Sequence, residues 1–360
     1  MDHAERKVKE LKNLYSRTAA GKLLLIGLGI IAVGMLAVLA AYLGAASLGW
    51  KRVVSAIGAG LFPGAFSTDK IAYSIIWSVR FPRILAGIIA GAGLAAAGAG
   101  MQGITRNPLA SPFTIGISAA AGLGATIAIV LGYSLMGGYA GANLIVLNSF
   151  GLCLLTTVLI LGLSELRGMT QETPILAGIV VTYLLNALAS LLKYIALEEQ
   201  VSAVVNWLFG SLAGVAWKDI LPMALITGFG VLLLLKNAWN LNSIGSGDEA
   251  AMAMGVNVRR VRKVIMLLVS LVTAGIISFT GVIGFVCVIA PHIGRMMVGS
   301  DHRFLLPFSC VIGSLLLLSA DTVGRTLLSP IEIPVGIVVS LLGAPFFFYL
   351  FLTRRRSFWS

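Results

Sequence analysis

The stretch VIMLLVSLVTAGIISFTGVIGFVCVIAP, Val264 to Pro291, contains no charged side chain. As a single helix it would extend about 42 Å, against a bilayer hydrocarbon core of about 30 Å. It is too apolar for a soluble domain and too long for one span. Gly281 and Gly284 fall where a break would divide it into spans near 262–280 and 282–298. Further apolar runs lie at 23–47, 84–105, 113–132, 144–163, 174–196 and 220–238 before it, and at 305–320 and 334–352 after it. The reading is an all-α polytopic membrane protein of about ten transmembrane helices.

Composition agrees. Of the 360 residues, 58% are hydrophobic and 11% charged, whereas soluble domains carry about 25% charged residues. The chain divides into a basic head at 1–22, one transmembrane domain at 23–352 with a polar loop at 240–263, and a basic tail at 353–360. The first apolar run follows a polar head and is too long for a signal-peptide core, so it is expected to remain as a span. Placing both termini in the cytoplasm puts most of the 26 Lys and Arg on that side, as the positive-inside rule requires. The net charge of +12 is therefore read as topology and lipid contact, with no nucleic-acid partner, because no face interleaves basic and aromatic residues. Cys153, Cys287 and Cys310 are odd in number and lack CxxC spacing, which supports neither a disulfide framework nor a metal site. Gly87, Gly91, Ala95 and Ala99 recur at four-residue spacing, which lets helix backbones approach closely, within one chain or at a dimer seam.

Two polar features point to function. In the loop, Ser246 and Glu249 have capping-box spacing, Asp248 and Glu249 suit a helix N-terminus, and Gly255 is a stop. The spacing predicts a two-turn helix whose small and Met-rich body, Ala250 to Met254, reads as a docking surface for a cytoplasmic partner or as an ordinary turn packed on the membrane face, the first being preferred. At the other side, Arg80 and Arg83 flank Pro82 at a helix start, where the dipole opposes them by about 0.3–1 kcal/mol each. They read as a site for carboxylates of an external partner or as snorkelling side chains. Arg325, a third outer arginine, stands four residues after Asp321, the spacing of an intrahelical ion pair.

Four segments carry a resemblance. RFPRILAGIIAGAGLAAAGAGMQGITRNPLASPFTIGISAAAGLGA (Arg80 to Ala125), GDEAAMAMGV (Gly247 to Val256), SFTGVIGFVCVIAPHIGRMMVGSDHRFLLP (Ser278 to Pro307) and PVGIVVSLLGAPFFFYL (Pro334 to Leu350) occur in the order found in FecCD-type permeases. These are the membrane subunits of ABC importers for iron-siderophore, haem and cobalamin. The resemblance implies the type II importer permease fold, with ten spans and a location in a bacterial or archaeal cell (inner) membrane. It also implies a second permease subunit, as a homodimer, two cytoplasmic ATPase subunits and an extracytoplasmic substrate-binding protein. By position it gives Asp248, Glu249, Ala250, Ala251, Met254, Gly255 and Val256 as the ATPase-coupling contact. Arg80, Arg83 and Arg325 become the binding-protein docking residues, and Thr170, Gln171, Glu172 and Thr173 the cytoplasmic gate. Cys287 replaces the family's usual Gly, and Ser111 a frequent acidic residue, with local packing the expected effect.

No catalytic residue is expected in this chain. GxxxxGK[ST] is absent, so ATP and Mg belong to the partner ATPase and the chain holds no cofactor of its own. Gly245 to Asp248 spells GxGD, a pattern resembling intramembrane aspartyl proteases, but the only other candidate carboxylate, Asp321, is placed on the opposite side. An ion-coupled secondary transporter is the rival of a different class. It would keep ionisable groups at mid-membrane, and the span centres are nearly free of them, with His292 the closest candidate.

Overall fold

The computed structural model describes residues 3–44, 46, 48–62, 66–133 and 143–353. The chain is built from helices α1 (His3–Tyr42), α2 (Trp50–Leu61), α3 (Lys70–Ser74), α4 (Phe81–Thr105), α5 (Ile117–Thr126), α6 (Leu144–Leu166), α7 (Thr173–Tyr194) and α8 (Glu198–Leu208). It continues with α9 (Trp217–Lys236), α10 (Ala238–Gly245), α11 (Asp248–Ala253), α12 (Val258–Thr280), α13 (Val286–Val298), α14 (His302–Gly324) and α15 (Val335–Thr353). Among the described residues, seven helices are long and apolar enough to cross a membrane. Three shorter apolar ones, Ile117–Leu131, Val286–Val298 and Val335–Phe348, accompany them. Every expected span thus coincides with an apolar helix.

The charge-free stretch that decides the fold is divided where its glycines stand. α12 ends at Thr280, and α13 begins at Val286 after an irregular passage. Gly281, at φ +70°, lies so close to the Trp207 carbonyl that a Cβ would collide with it, and Gly210, at φ +67°, is pressed in the same way against the Val282 carbonyl. Backbone hydrogen bonds replace the missing helical ones here. Ser211 N donates to Thr280 O at 2.7 Å, and Gly336 N to Gly210 O at 3.2 Å. Irregular backbone at membrane depth persists only where the protein itself satisfies it.

α4 is the central helix, buried along nearly its whole length. Its small-residue stripe faces α14 of the same chain. Gly91 meets Gly313 backbone to backbone, and a Cβ on Gly313 would also strike Ala95. On another face Gly98 lies against the Cys287 carbonyl of α13. Cys287 is fully buried, and the Ser111 side chain reaches its thiol, so the two positions that depart from the FecCD pattern touch each other.

Both described ends of the chain reach the same end of the bundle. Lys22 of α1 lies over the Phe304 ring, 5.1 Å from its centroid, beside the start of α14. α15 starts at the opposite end, where Gly336 meets Gly210, and runs back. The basic head, set apart at 1–22, continues into the first span as one unbroken helix from His3. Apart from Thr353, the basic tail lies outside the described residues.

Some elements are additional to the sequence reading. α2 and α3 form a small separate core of Leu48, Val53, Ala56, Ala72 and Ile76. Asp69 caps α3 by accepting from Ala72 N at 2.5 Å. The second span begins earlier than 84, because α3 runs through a π-helical passage, Ile75–Arg80, into α4.

Candidate coupling site

α11 forms where the charge pattern places it, but its start differs from the expected box. Its N-cap is Gly247, at φ +110°, with no side-chain cap, so Ser246 does not close a capping box with Glu249. The end follows the sequence closely. Gly255 N donates to Met252 O at 2.9 Å and Val256 N to Ala251 O at 3.0 Å, with Gly255 at φ +82°. This is the Schellman pattern of a glycine-terminated helix. Six residues cannot hold a helix alone. Ala251, fully buried, anchors α11, while Glu249, Ala250 and Gly255 are exposed and Val256 is half-buried. Met252 and Met254 are each 57% exposed, an adaptable apolar pair turned away from the bundle. Met252 stands beside Met254 in this surface, although the resemblance did not mark it.

Asp248 is the link inward. Its Oδ1 accepts from Arg262 Nη2 at 2.8 Å. Arg262 is buried on α12, and its other nitrogens donate to Ile104 O at 3.3 Å and Met169 O at 3.4 Å. Arg106, the left-handed C-cap of α4, donates from Nε to Gln171 Oε1 at 3.0 Å. At the start of α7, the hydroxyls of Thr170 and Thr173 lie 2.8 Å apart, and Glu172 is exposed. The expected coupling segment and the expected gate residues therefore meet. Arg106, the 170–172 turn and the 246–250 segment line one cleft of about 610 Å³.

The three outer arginines also come together, at the far end of α4. Arg80 donates to the carbonyls of Ala41 (2.6 Å), Tyr42 (2.9 Å) and Ala46 (2.6 Å). Arg325 donates to Ala40 O at 2.5 Å. Two guanidinium groups thus fill the last carbonyls of α1, whose partial negative charge favours cations. Arg83 Nε donates a bifurcated hydrogen bond to the two carboxylate oxygens of Asp321, at 2.9 and 3.1 Å, and its Nη1 donates to Glu332 at 2.6 Å. Asp321 also lies 3.7 Å from Arg325, the i,i+4 pair read from spacing. The dipole that opposes Arg80 and Arg83 at the start of α4 is offset by α1 and by these carboxylates. All three arginines are at most 5% exposed, and the bonds named here stay within the chain.

Asp248 and Asp321 cannot share a site. Arg83 holds one and Arg262, bound at Ile104, the other, which along α4 is a separation of about 32 Å.

The FecCD transport family matches residues 30–353, nearly the whole described chain. The chain belongs to that family. A Methanocaldococcus jannaschii protein assigned as an ABC transporter permease is 44% identical over 293 residues, 78% of this chain and 82% of that protein. The hemin transport system permease of Yersinia pestis is 36% identical over 334 residues, 93% and 97% of the two chains. The cobalamin import system permease of Halobacterium salinarum is 37% identical over 309 residues, 86% and 80%. A solved structure described as an inward-facing metal-chelate type ABC transporter superposes with a TM-score of 0.77 at 30% identity, covering 92% of this chain and all of that one. This FecCD member is accordingly a polytopic ABC transporter permease with the type II fold, which sets aside the secondary transporter and the protease. Its Arg106 and Arg262 carried no signal beyond their charge, since their partners lie in other segments.

Proposed function

We propose that this permease is the membrane subunit of an ATP-driven importer that translocates an iron-siderophore-type metal chelate. Two cytoplasmic ATPase subunits grip the exposed side of α11, Glu249, Ala250, Met254, Gly255 and Val256, with Asp248 and Ala251 holding it to the bundle. ATP and Mg bind to those subunits. An extracytoplasmic binding protein delivers the chelate to the end that holds Arg80, Arg83 and Arg325. Docking through Arg83 requires a partner carboxylate to take the place of Glu332, the more exposed of its two acids. A second copy of the chain completes the pathway, in a bacterial or archaeal cell (inner) membrane, with Thr170 to Thr173 as the cytoplasmic gate.

The observation that carries this reading is the shared cleft of the α11 segment and the 170–172 turn, in a chain of the FecCD family. A short helix with an exposed methionine pair, placed against a turn at the start of a span, is suited to pass a push from outside the membrane into it. The test is uptake by proteoliposomes carrying the permease, its ATPase and its binding protein, with labelled ferric siderophore, haem and cobalamin in separate arms. Uptake of the siderophore should require ATP and survive collapse of the proton gradient. Preference for haem or cobalamin would replace the ligand and keep the importer, and uptake that follows the proton gradient would reject the importer. Met254→Asp should leave ATP hydrolysis running with little uptake.

A further inference from the structure

Three segments distant in sequence converge on one buried side chain. Arg262 reaches the carboxylate of Asp248 at the first residue of α11, the carbonyl of Ile104 in the last turn of α4, and the carbonyl of Met169 in the turn that leads to Thr170. Its side chain is 4% exposed and that of Asp248 35%. The Met169 carbonyl belongs to a strained passage. Gly168 and Met169 both have positive φ, +92° and +53°, and Met169 is itself buried. A non-glycine residue in that region is unfavourable and persists only when its surroundings hold it there. Arg262 is one of the groups that hold it, together with the hydrogen bond from Met169 N to Ser164 O at 2.9 Å.

The geometry points to Arg262 as the positioning residue that transmits displacement of α11 to the gate turn. This inference rests on the importer reading above. The argument is mechanical. α11 has few ties to the bundle, and its charged tie is to Arg262. A guanidinium has a rigid planar fork of donors, so movement of Asp248 cannot be absorbed by rotation of one donor without disturbing the others. Met169 is one residue from the gate, and its unfavourable backbone makes it the member of the triad most ready to change state when its carbonyl is released. A lysine at this position keeps the charge and loses the fork.

The experiment uses the assembled transporter in lipid nanodiscs, with a Glu172→Cys reporter at the exposed gate position and a maleimide as probe. Cys153 and Cys287 are buried, and the half-buried Cys310 is replaced by Ser in the reporter background. The labelling rate is read without nucleotide and with ATP plus vanadate. With native Arg262 the rate should change with nucleotide. Arg262→Lys should shrink that change by about 2- to 30-fold, the range of coupling losses for residues linking two sites, while the ATPase still co-purifies and still turns over. Asp248→Asn, which leaves the two carbonyl bonds intact, should shrink it in the same direction, and the double variant should add little. Asp248→Asn alone decides if Arg262→Lys fails to fold. A full nucleotide response in folded, assembled variants overturns the inference and leaves the importer reading standing. Absence of any response or of a bound ATPase with native Arg262 removes the importer reading, and the inference with it.

Discussion

Arg83 holds its charge where water scarcely reaches, and Asp321 and Glu332 make that tolerable. A buried pair adds little net stability over an apolar substitute, but removing one partner leaves the other uncompensated. Arg83→Met should therefore cost about 3–5 kcal/mol, read as a lower melting temperature in detergent, and adding Asp321→Asn should restore part of it. A double variant no better than the single one would contradict the pairing. Asp301 offers a pH test outside the membrane spans. Burial would raise its carboxyl, but hydrogen bonds from Arg303 and Asn242 outweigh that and hold it at about 2. Because this lies below the unfolded value of about 3.9, the carboxylate stabilises the fold above pH ~4, and the contribution is lost as pH falls toward 2. Asp301→Asn should melt earlier than the native protein at pH 6, with the difference closing between those limits. The charges themselves were legible, and Asp321 with Arg325 was found from spacing alone. The pairing of Arg83 with Asp321 was not, because 238 residues separate them, and neither was that of Arg262, whose carbonyl partners lie 158 and 93 residues away and whose carboxylate partner, 14 residues away, stands on a different helix.

At the scale of elements, the spans were legible because a bilayer imposes a length and an apolar composition on any helix that crosses it. The break at Gly281 was legible for the same reason, since one helix could not use the whole run. α2, α3, α8 and α10 were missed. They are short, and α2 opens with Trp50, Lys51 and Arg52, so no long apolar window marks them. At α11 the box failed because Gly247 takes an extended conformation with positive φ and becomes the cap itself. The small-residue stripe gives the element-scale prediction. At the α4–α14 crossing, Gly91 and Gly313 leave no room for a side chain, so Gly91→Leu must force the helices apart. Overpacking typically costs about 1–3 kcal/mol, and here the obstacle is backbone. Purified yield and melting temperature should both fall, whereas Gly34→Leu on α1, with open space around it, should leave them unchanged.

At the scale of the molecule, several helices keep apolar faces that the described residues leave uncovered, α1 and α7 among them. α1 exposes Leu24, Ile31 and Met35, and α7 exposes Leu176, Val180 and Tyr183. Composition cannot tell a lipid face from a subunit face, because lipid tails are as apolar as leucine. That is why the resemblance can imply a second copy while composition leaves open which face meets it. If α7 lines the seam with a second copy, Val180→Cys should give an oxidant-dependent dimer on a non-reducing gel and Met35→Cys should not. Equal cross-linking at both positions would count against the seam. The junction of Gly210, Gly281 and Gly336 stands apart from either face. There, carbonyl groups occupy the places where side chains would be, so the crossing has no spare volume. Outward surfaces have a liquid for a neighbour and can accept almost any apolar residue. Drift in this sequence should therefore accumulate on the outside of α1 and halt at these three positions, where even a methyl group is one atom too many.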